Sequence, residues 1–241
     1  MSALFLRYKY LLPINMCMYN VDNWQELYTD HKASKHNVVG LPNKYDVDLN
    51  KLDQGIAVAL SKFTMTQYTV NEIPVPGYFG LCFKSTSGSH NPLSEGLSSN
   101  VYSHGNINKP IDAIFTQKTD AWFPYLDEIV NKFNGQVTQI RLIKLESGHN
   151  LLSRTEKLHI DYPWYRGIRI HICLTPDVDY VWRVLDDDYH LKRSSKMFYL
   201  DTGKPHGAVN FHNNKDRYVL NFNLIPRLDN HIDYQIENSI I

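Results

Sequence analysis

From residue 136 onward, apolar and polar positions alternate in short runs. The stretches "QVTQIRLIKL", "KLHID", "IRIHICLT", "YVWRVL", "KMFYLDTG", "HGAVNFH" and "RYVLNFNLI" follow one another, separated by the turn-like "ESGHN", "TPDVD", "LDDDYH" and "NNKD". A period of two is the signature of strands with one face buried, and short strands at a spacing of roughly ten residues predict a sandwich or barrel. Within "RYVLNFNL" both faces are committed. Tyr218, Leu220, Phe222 and Leu224 form an apolar one, and Arg217, Val219, Asn221 and Asn223 a largely polar one. "IRIHIC" has the same character, with Ile168, Ile170 and Ile172 on one side and Arg169 and His171 on the other. A polar face on a strand whose other face is apolar is expected where it lines a polar hollow.

The chain before residue 136 reads differently. In "DAWFPYLDEIVNKFNG", Trp122, Tyr125, Leu126, Ile129, Val130 and Phe133 recur at helical spacing, with Gly135 as a C-terminal cap. A short helix is expected around "NWQELYTDHK" and a strand at "GIAVALSKF", while the prolines of "YTVNEIPVPGYFGLCFKS" suggest turns or an edge strand. Residues 85–110 are rich in Ser, Gly, Asn and Pro, and a loop of this length is commonly a lid, a binding loop or a surface excursion. His90, Tyr102 and His104 make it a candidate lid.

Composition narrows the partners. Formal net charge is zero over 241 residues, which removes the general electrostatic reason to expect nucleic acid or an anionic membrane. No apolar run approaches the ~18 residues that cross a bilayer, and the apolar N-terminal stretch is broken by Arg7, Tyr8 and Lys9 without a cleavage signature. Cys17, Cys82 and Cys173 are odd in number and far apart, as expected for reduced thiols in a cytoplasmic protein. Oligomeric state is not written in the pattern.

The chemistry lies in a few positions. His159 and Asp161 are two apart, so on a strand they share a face. His206 follows beside a turn, and Arg217 lies eleven positions further on, on the next strand. Two histidines and a carboxylate form the facial triad of non-haem Fe(II) oxygenases, leaving positions open for a bidentate cosubstrate and O2. An arginine facing the same hollow can grip a carboxylate in a two-pronged fork. Arg169 with His171 reads as a second group for recognising anions. Trp164 and Arg183 are candidates to border the substrate, Arg183 as a further anion-binding group; Trp164, with Tyr165 and Trp182, could equally cap the barrel.

Taken together, the helix "FPYLDEIVNKF", the strand "IRLIKLESG", the "HID" pair, "RIHICL", "FYLDTGKPHGAVN" and "DRYVLNFNL" resemble, in order and spacing, Fe(II)/2-oxoglutarate-dependent oxygenases of the aspartyl/asparaginyl β-hydroxylase type, which include L-proline hydroxylases. The likeness runs from about Trp122 to Arg227. It implies a mainly β fold with flanking helices, a double-stranded β-helix of the jelly-roll, cupin-like kind. The expected organisation is one oxygenase domain over 1–241, with an N-terminal α/β portion to 135 and a jelly-roll core over 136–227. The resemblance implies iron at His159, Asp161 and His206, the distal carboxylate of 2-oxoglutarate at Arg217, help from His171 in holding that cosubstrate, and a substrate carboxylate at Arg169. It also implies O2 as oxidant, ascorbate as a stimulant, and a small-molecule or peptide substrate that bears a carboxylate. Many aspartyl hydroxylases carry Gly where this chain has Asp161, which aligns it with the proline-hydroxylase side. Two other readings stay open: a cupin-like metal enzyme that does not use 2-oxoglutarate, and a non-catalytic jelly-roll binding module.

Overall fold

A computed structural model describes residues 37–70, 73–91, 117–133, 137–149, 168–176, 180–202, 204–212 and 214–224. Twelve strands are defined among them: β1 Val38–Gly40, β2 Thr66–Val70, β3 Ile73–Cys82, β4 Lys84–Ser85, β5 Gln117–Lys118, β6 Val137–Leu145, β7 Ile168–Cys173, β8 Tyr180–Val184, β9 Asp187–Leu191, β10 Phe198–Leu200, β11 His206–Asn210 and β12 Arg217–Leu224. Seven form one antiparallel sheet in the order β1-β10-β7-β12-β6-β3-β2, and three form a smaller sheet in the order β11-β8-β9. The strands expected after residue 136 are present, except "KLHID", which lies outside the described residues together with the helix expected around "NWQELYTDHK".

Two helices cover one face of the large sheet: α1, Leu49–Lys62, and α2, Tyr125–Asn131. The first corrects the strand expected at "GIAVALSKF". Leu52, Ile56 and Ala59 are its buried residues, at helical spacing, and the Asp48 carboxylate caps its start by accepting from the backbone N–H of Asn50 and Lys51. Read from residue 55 alone, the apolar density mimics a buried strand; the cap seven residues earlier decides for helix. The second helix is shorter than its apolar pattern, but buries Tyr125, Leu126 and Ile129 from it. Gly55 lets α1 lie against the Phe123 ring, since a Cβ there would sit 2.1 Å from Phe123 Cδ2.

The alternation in sequence maps onto two cores. On the helix side of the large sheet, Leu81, Phe83, Ile140, Leu142, Ile170, Ile172, Leu220 and Phe222 pack against Leu52, Ile56, Leu126 and Ile129. On the other side, Cys173, Leu200 and Val219 of the large sheet pack against Trp182, Val184, Leu191 and Ala208 of the small one. The layers are therefore helices, large sheet, small sheet, and strands β7 to β12 pass between the two sheets in the manner of a jelly-roll. This is the double-stranded β-helix expected from the sequence. The proline-bearing strand β3 lies one in from the edge, with β2 outermost. "LDDDYHLKR" forms a hairpin tip at Leu185 and Asp186, then the largely exposed strand β9. Among the described residues no helix is long and apolar enough to cross a membrane. The Cys82 and Cys173 side chains are both buried.

Candidate functional site

The hollow between the sheets is polar at one end because β12, β7 and β6 present matching ranks. Asn221 stands opposite both Arg141 and His171, Asn223 opposite Arg169, and Arg217 opposite Leu145. Paired residues of neighbouring strands share a face, so these side chains enter the same space. Arg141, Arg169, His171, Arg217, Asn221 and Asn223 are all buried. At roughly 3.3 Å per residue, the rank of Asn221 lies about 13 Å along β12 from Arg217. Val219 and Cys173 separate the two.

His206 enters from the opposite sheet at the start of β11, completely buried. The turn before it is well braced. Lys204 Nζ donates to Asn37 Oδ1 at 2.7 Å and pairs with the Asp201 carboxylate at 3.3 Å. The Lys204 carbonyl in turn meets His206 Nδ1 at 2.9 Å. A carbonyl can only accept, so Nδ1 carries the proton and Nε2 is the lone-pair nitrogen, the form in which imidazole ligates a metal. The ring stacks on Trp182, with centroids 4.8 Å apart and planes 21° apart, and Trp182 also meets His171 edge-on at 5.1 Å. One indole thus contacts both histidines.

His171 is held neutral. Burial is the largest cause, and the positive fields of Arg169, Arg217 and Arg141 add to it, so its pKa falls well below the ordinary histidine value. The Cys173 thiol is pushed up to about 12 by burial, with Arg217 opposing, and is protonated at neutral pH. The arginines are positioned by amides. Arg169 Nε donates to Asn223 Oδ1 at 2.5 Å, and Arg141 Nε donates to Asn221 Oδ1 at 3.2 Å. Arg141 also meets the Tyr68 phenol, whose pKa burial drives well up. Arg217 Nη1 reaches the Val209 carbonyl at 3.5 Å, which ties β12 to β11.

Of the residues expected from sequence, the fold brings His171, Arg169, Arg217 and His206 into this interior. Arg183 sits on the β8–β9 hairpin, half-buried, where two of its nitrogens donate to the Asp188 carboxylate at 2.6 Å each. His159, Asp161 and Trp164 lie outside the described residues, as do Tyr102 and His104; among the described residues no trio of His, Cys, Asp or Glu converges. His90 is hydrogen-bonded to Asp120 at 2.8 Å and packs on Phe63. Gln139, Arg141 and Asn223 were not singled out as site residues, although the two-residue rule applied to "QIRLIKL" places Gln139 and Arg141 on one side of β6.

Fold and interior together define a jelly-roll protein with a buried, arginine-rich hollow and a metal-competent histidine at its wall. No described protein family and no curated protein matches the sequence. Among solved structures, the chain is similar to a 2OG-Fe(II) oxygenase family oxidoreductase from Burkholderia pseudomallei, with 10% identity, 86% of this chain and 91% of that one covered, and a TM-score of 0.43. It is also similar to a prolyl hydroxylase from Trichoplax adhaerens solved with a hypoxia inducible factor peptide fragment, with 11% identity, 86% and 94% covered, and a TM-score of 0.43. A third is the non-haem α-ketoglutarate-dependent epimerase SnoN of nogalamycin biosynthesis, with 10% identity, 84% and 82% covered, and a TM-score of 0.41.

Proposed function

We propose that the chain is an Fe(II)- and 2-oxoglutarate-dependent dioxygenase that hydroxylates an unactivated C–H bond of an amino acid or of a peptidyl Asp, Asn or Pro residue, releasing succinate and CO2. The observation that carries this reading is that His206, buried with Nδ1 against the Lys204 carbonyl, and the buried guanidinium of Arg217 both lie close enough to His171 to act on it. Imidazole nitrogen and carboxylate oxygen suit Fe(II), so the donor set of His206, His159 and Asp161 fits that metal. Iron with 2-oxoglutarate and O2 supplies the oxidising power when bound.

The chain path supports His159 and Asp161 as the other ligands. Asn210 N donates to the His149 carbonyl at 3.1 Å, and Gly148 N to the His212 carbonyl at 3.0 Å, so the chain leaving β6 runs antiparallel to β11 from its far end. Residues 150–159 can extend roughly 33 Å, while Asn210 to His206 is about 13 Å of strand. The "HID" pair thus has ample reach to His206.

The protein's remaining work is positioning and dehydration. Arg217 holds the far carboxylate of 2-oxoglutarate, and neutral His171 offers an uncharged hydrogen bond beside it. Arg169 receives a carboxylate of the substrate; Arg183, engaged with Asp188, is the weaker candidate for that role. Trp164 borders the substrate. The described walls of the hollow are buried, which keeps water from the reacting carbon. The order of motifs favours the aspartyl/asparaginyl β-hydroxylase type, with Asp161 placing the chain on the proline-hydroxylase side. The proposal takes the chain as one cytoplasmic domain whose turnover ascorbate stimulates.

The test is succinate release from 2-oxoglutarate with Fe(II) and ascorbate. Wild type releases succinate, and His206→Ala does not. Arg217→Met removes two charge-assisted hydrogen bonds of about 1.5–3 kcal/mol each, and so raises the KM for 2-oxoglutarate about a hundredfold or more. Wild type that fails to bind 2-oxoglutarate ends this reading.

A further inference from the structure

The far end of the hollow contains a residue under two penalties at once. Between Asn221 and Asn223 of β12 lies one residue, whereas between their partners Arg141 and Thr138 of β6 lie two, Gln139 and Ile140. This is a β-bulge, a device that re-aims a side chain. Gln139 takes the extra position with φ of 50°, left-handed backbone that disfavours a residue with a Cβ by about 1 kcal/mol or more. The residue is 1% exposed, and its fully buried Nε2 has no hydrogen-bond partner among the described residues. An unsatisfied buried donor costs about 1–3 kcal/mol.

The orientation of the amide follows from donor inventory. Arginine has donors only, so Asn223 must present Oδ1 to Arg169 Nε, at 2.5 Å. Asn223 Nδ2 is then the end that donates to Gln139 Oε1, at 2.6 Å. That fixes Gln139 Nε2 as the remaining end, a pair of N–H donors one amide removed from the Arg169 guanidinium. Nothing at this end of Gln139 can accept. Whatever satisfies it brings an oxygen acceptor, and the neighbouring positive charge favours a carboxylate.

Position says which molecule that is. The Asn223 rank lies on the opposite side of the Asn221–His171 rank from Arg217. A cosubstrate reaching from His206 towards Arg217 leaves the Gln139 end for a second molecule. We propose that Gln139 is a specificity-determining residue whose amide N–H groups bind a carboxylate or amide-carbonyl oxygen of the molecule to be hydroxylated, with the Asn223–Arg169 relay holding it in the donor orientation. This rests on the oxygenase reading for the occupant at Arg217, and extends it to the substrate side.

The test is binding, not turnover. Protein loaded with Mn(II) under argon is first titrated with 2-oxoglutarate; no binding there overturns the oxygenase reading, and the inference with it. The complex is then screened against the twenty standard L-amino acids, their carboxamides, and N-acetyl amides of Asp, Asn and Pro, with Kd by calorimetry. At least one should bind. Gln139→Glu keeps an acceptor for Asn223 but replaces the donors with a carboxylate oxygen, and should weaken that compound at least tenfold, more for an acid than for its carboxamide. Gln139→Met, shown to be folded at the titration temperature by circular dichroism although it lacks the acceptor for Asn223 Nδ2, should weaken it similarly, so loss of fold is not the cause. If 2-oxoglutarate binds but no compound does, or if both variants stay within twofold of wild type for every compound bound, the inference is wrong and the oxygenase reading stands.

Discussion

His171 provides a pH-dependent signature that separates a neutral interior imidazole from an ordinary one. The residue is 4% exposed, and burial with Arg169, Arg217 and Arg141 nearby holds its pKa well below the usual value. In the unfolded chain it titrates near 6.5. Below that pH the unfolded state binds a proton that the native state refuses, so the contribution is fully present above about pH 6.5 and is lost as pH falls towards the folded pKa. Linkage costs about 1.4 kcal/mol of stability for each pH unit over which the unfolded ring is protonated and the native ring is not. The perturbation is His171→Gln, which keeps a hydrogen-bonding side chain and removes the titration. Urea unfolding of both proteins at pH 7.5 and 5.0 measures it, because the other titrating groups cancel in the difference. Wild type should lose more stability than the variant between the two pH values, by up to about 2 kcal/mol. Equal losses would show that the imidazole protonates in the folded protein, contrary to the arrangement of Arg141, Arg169 and Arg217 around it.

Gly55→Ala reverses the usual helix rule. Alanine ordinarily gains up to about 1 kcal/mol over glycine inside a helix, but its Cβ would lie 2.1 Å from the buried Phe123 ring, so thermal unfolding should show destabilisation. Phe222→Ala, at a fully buried ring between the large sheet and the helices, should cost about 3–5 kcal/mol by denaturant titration without changing the Kd for 2-oxoglutarate. Arg183→Ala removes a pair whose side chains are 37% and 35% exposed, and should shift stability by less than about 1 kcal/mol in the same titration.

Resemblance and alternation made the core strands and their polarity legible in advance. Ile170, Ile172, Leu220 and Phe222 face the helices, and Arg169, His171, Arg217 and Asn221 face the hollow, as the period of two implied. The helix at Leu49–Lys62 was missed because its decisive signal, the Asp48 cap, lies outside the apolar run.

What the sequence determined by itself is local: which residues alternate, and therefore which side chains a strand turns to the same side. That follows from backbone geometry, and needs no partner. Tertiary structure decided what each side meets. It put Trp182 against both His206 and His171, turned Arg183 to Asp188, and made Gln139 the bulged residue that Asn223 holds. These contacts join residues far apart in the chain, and their register depends on how whole sheets pair and stack, a collective property that no short stretch encodes.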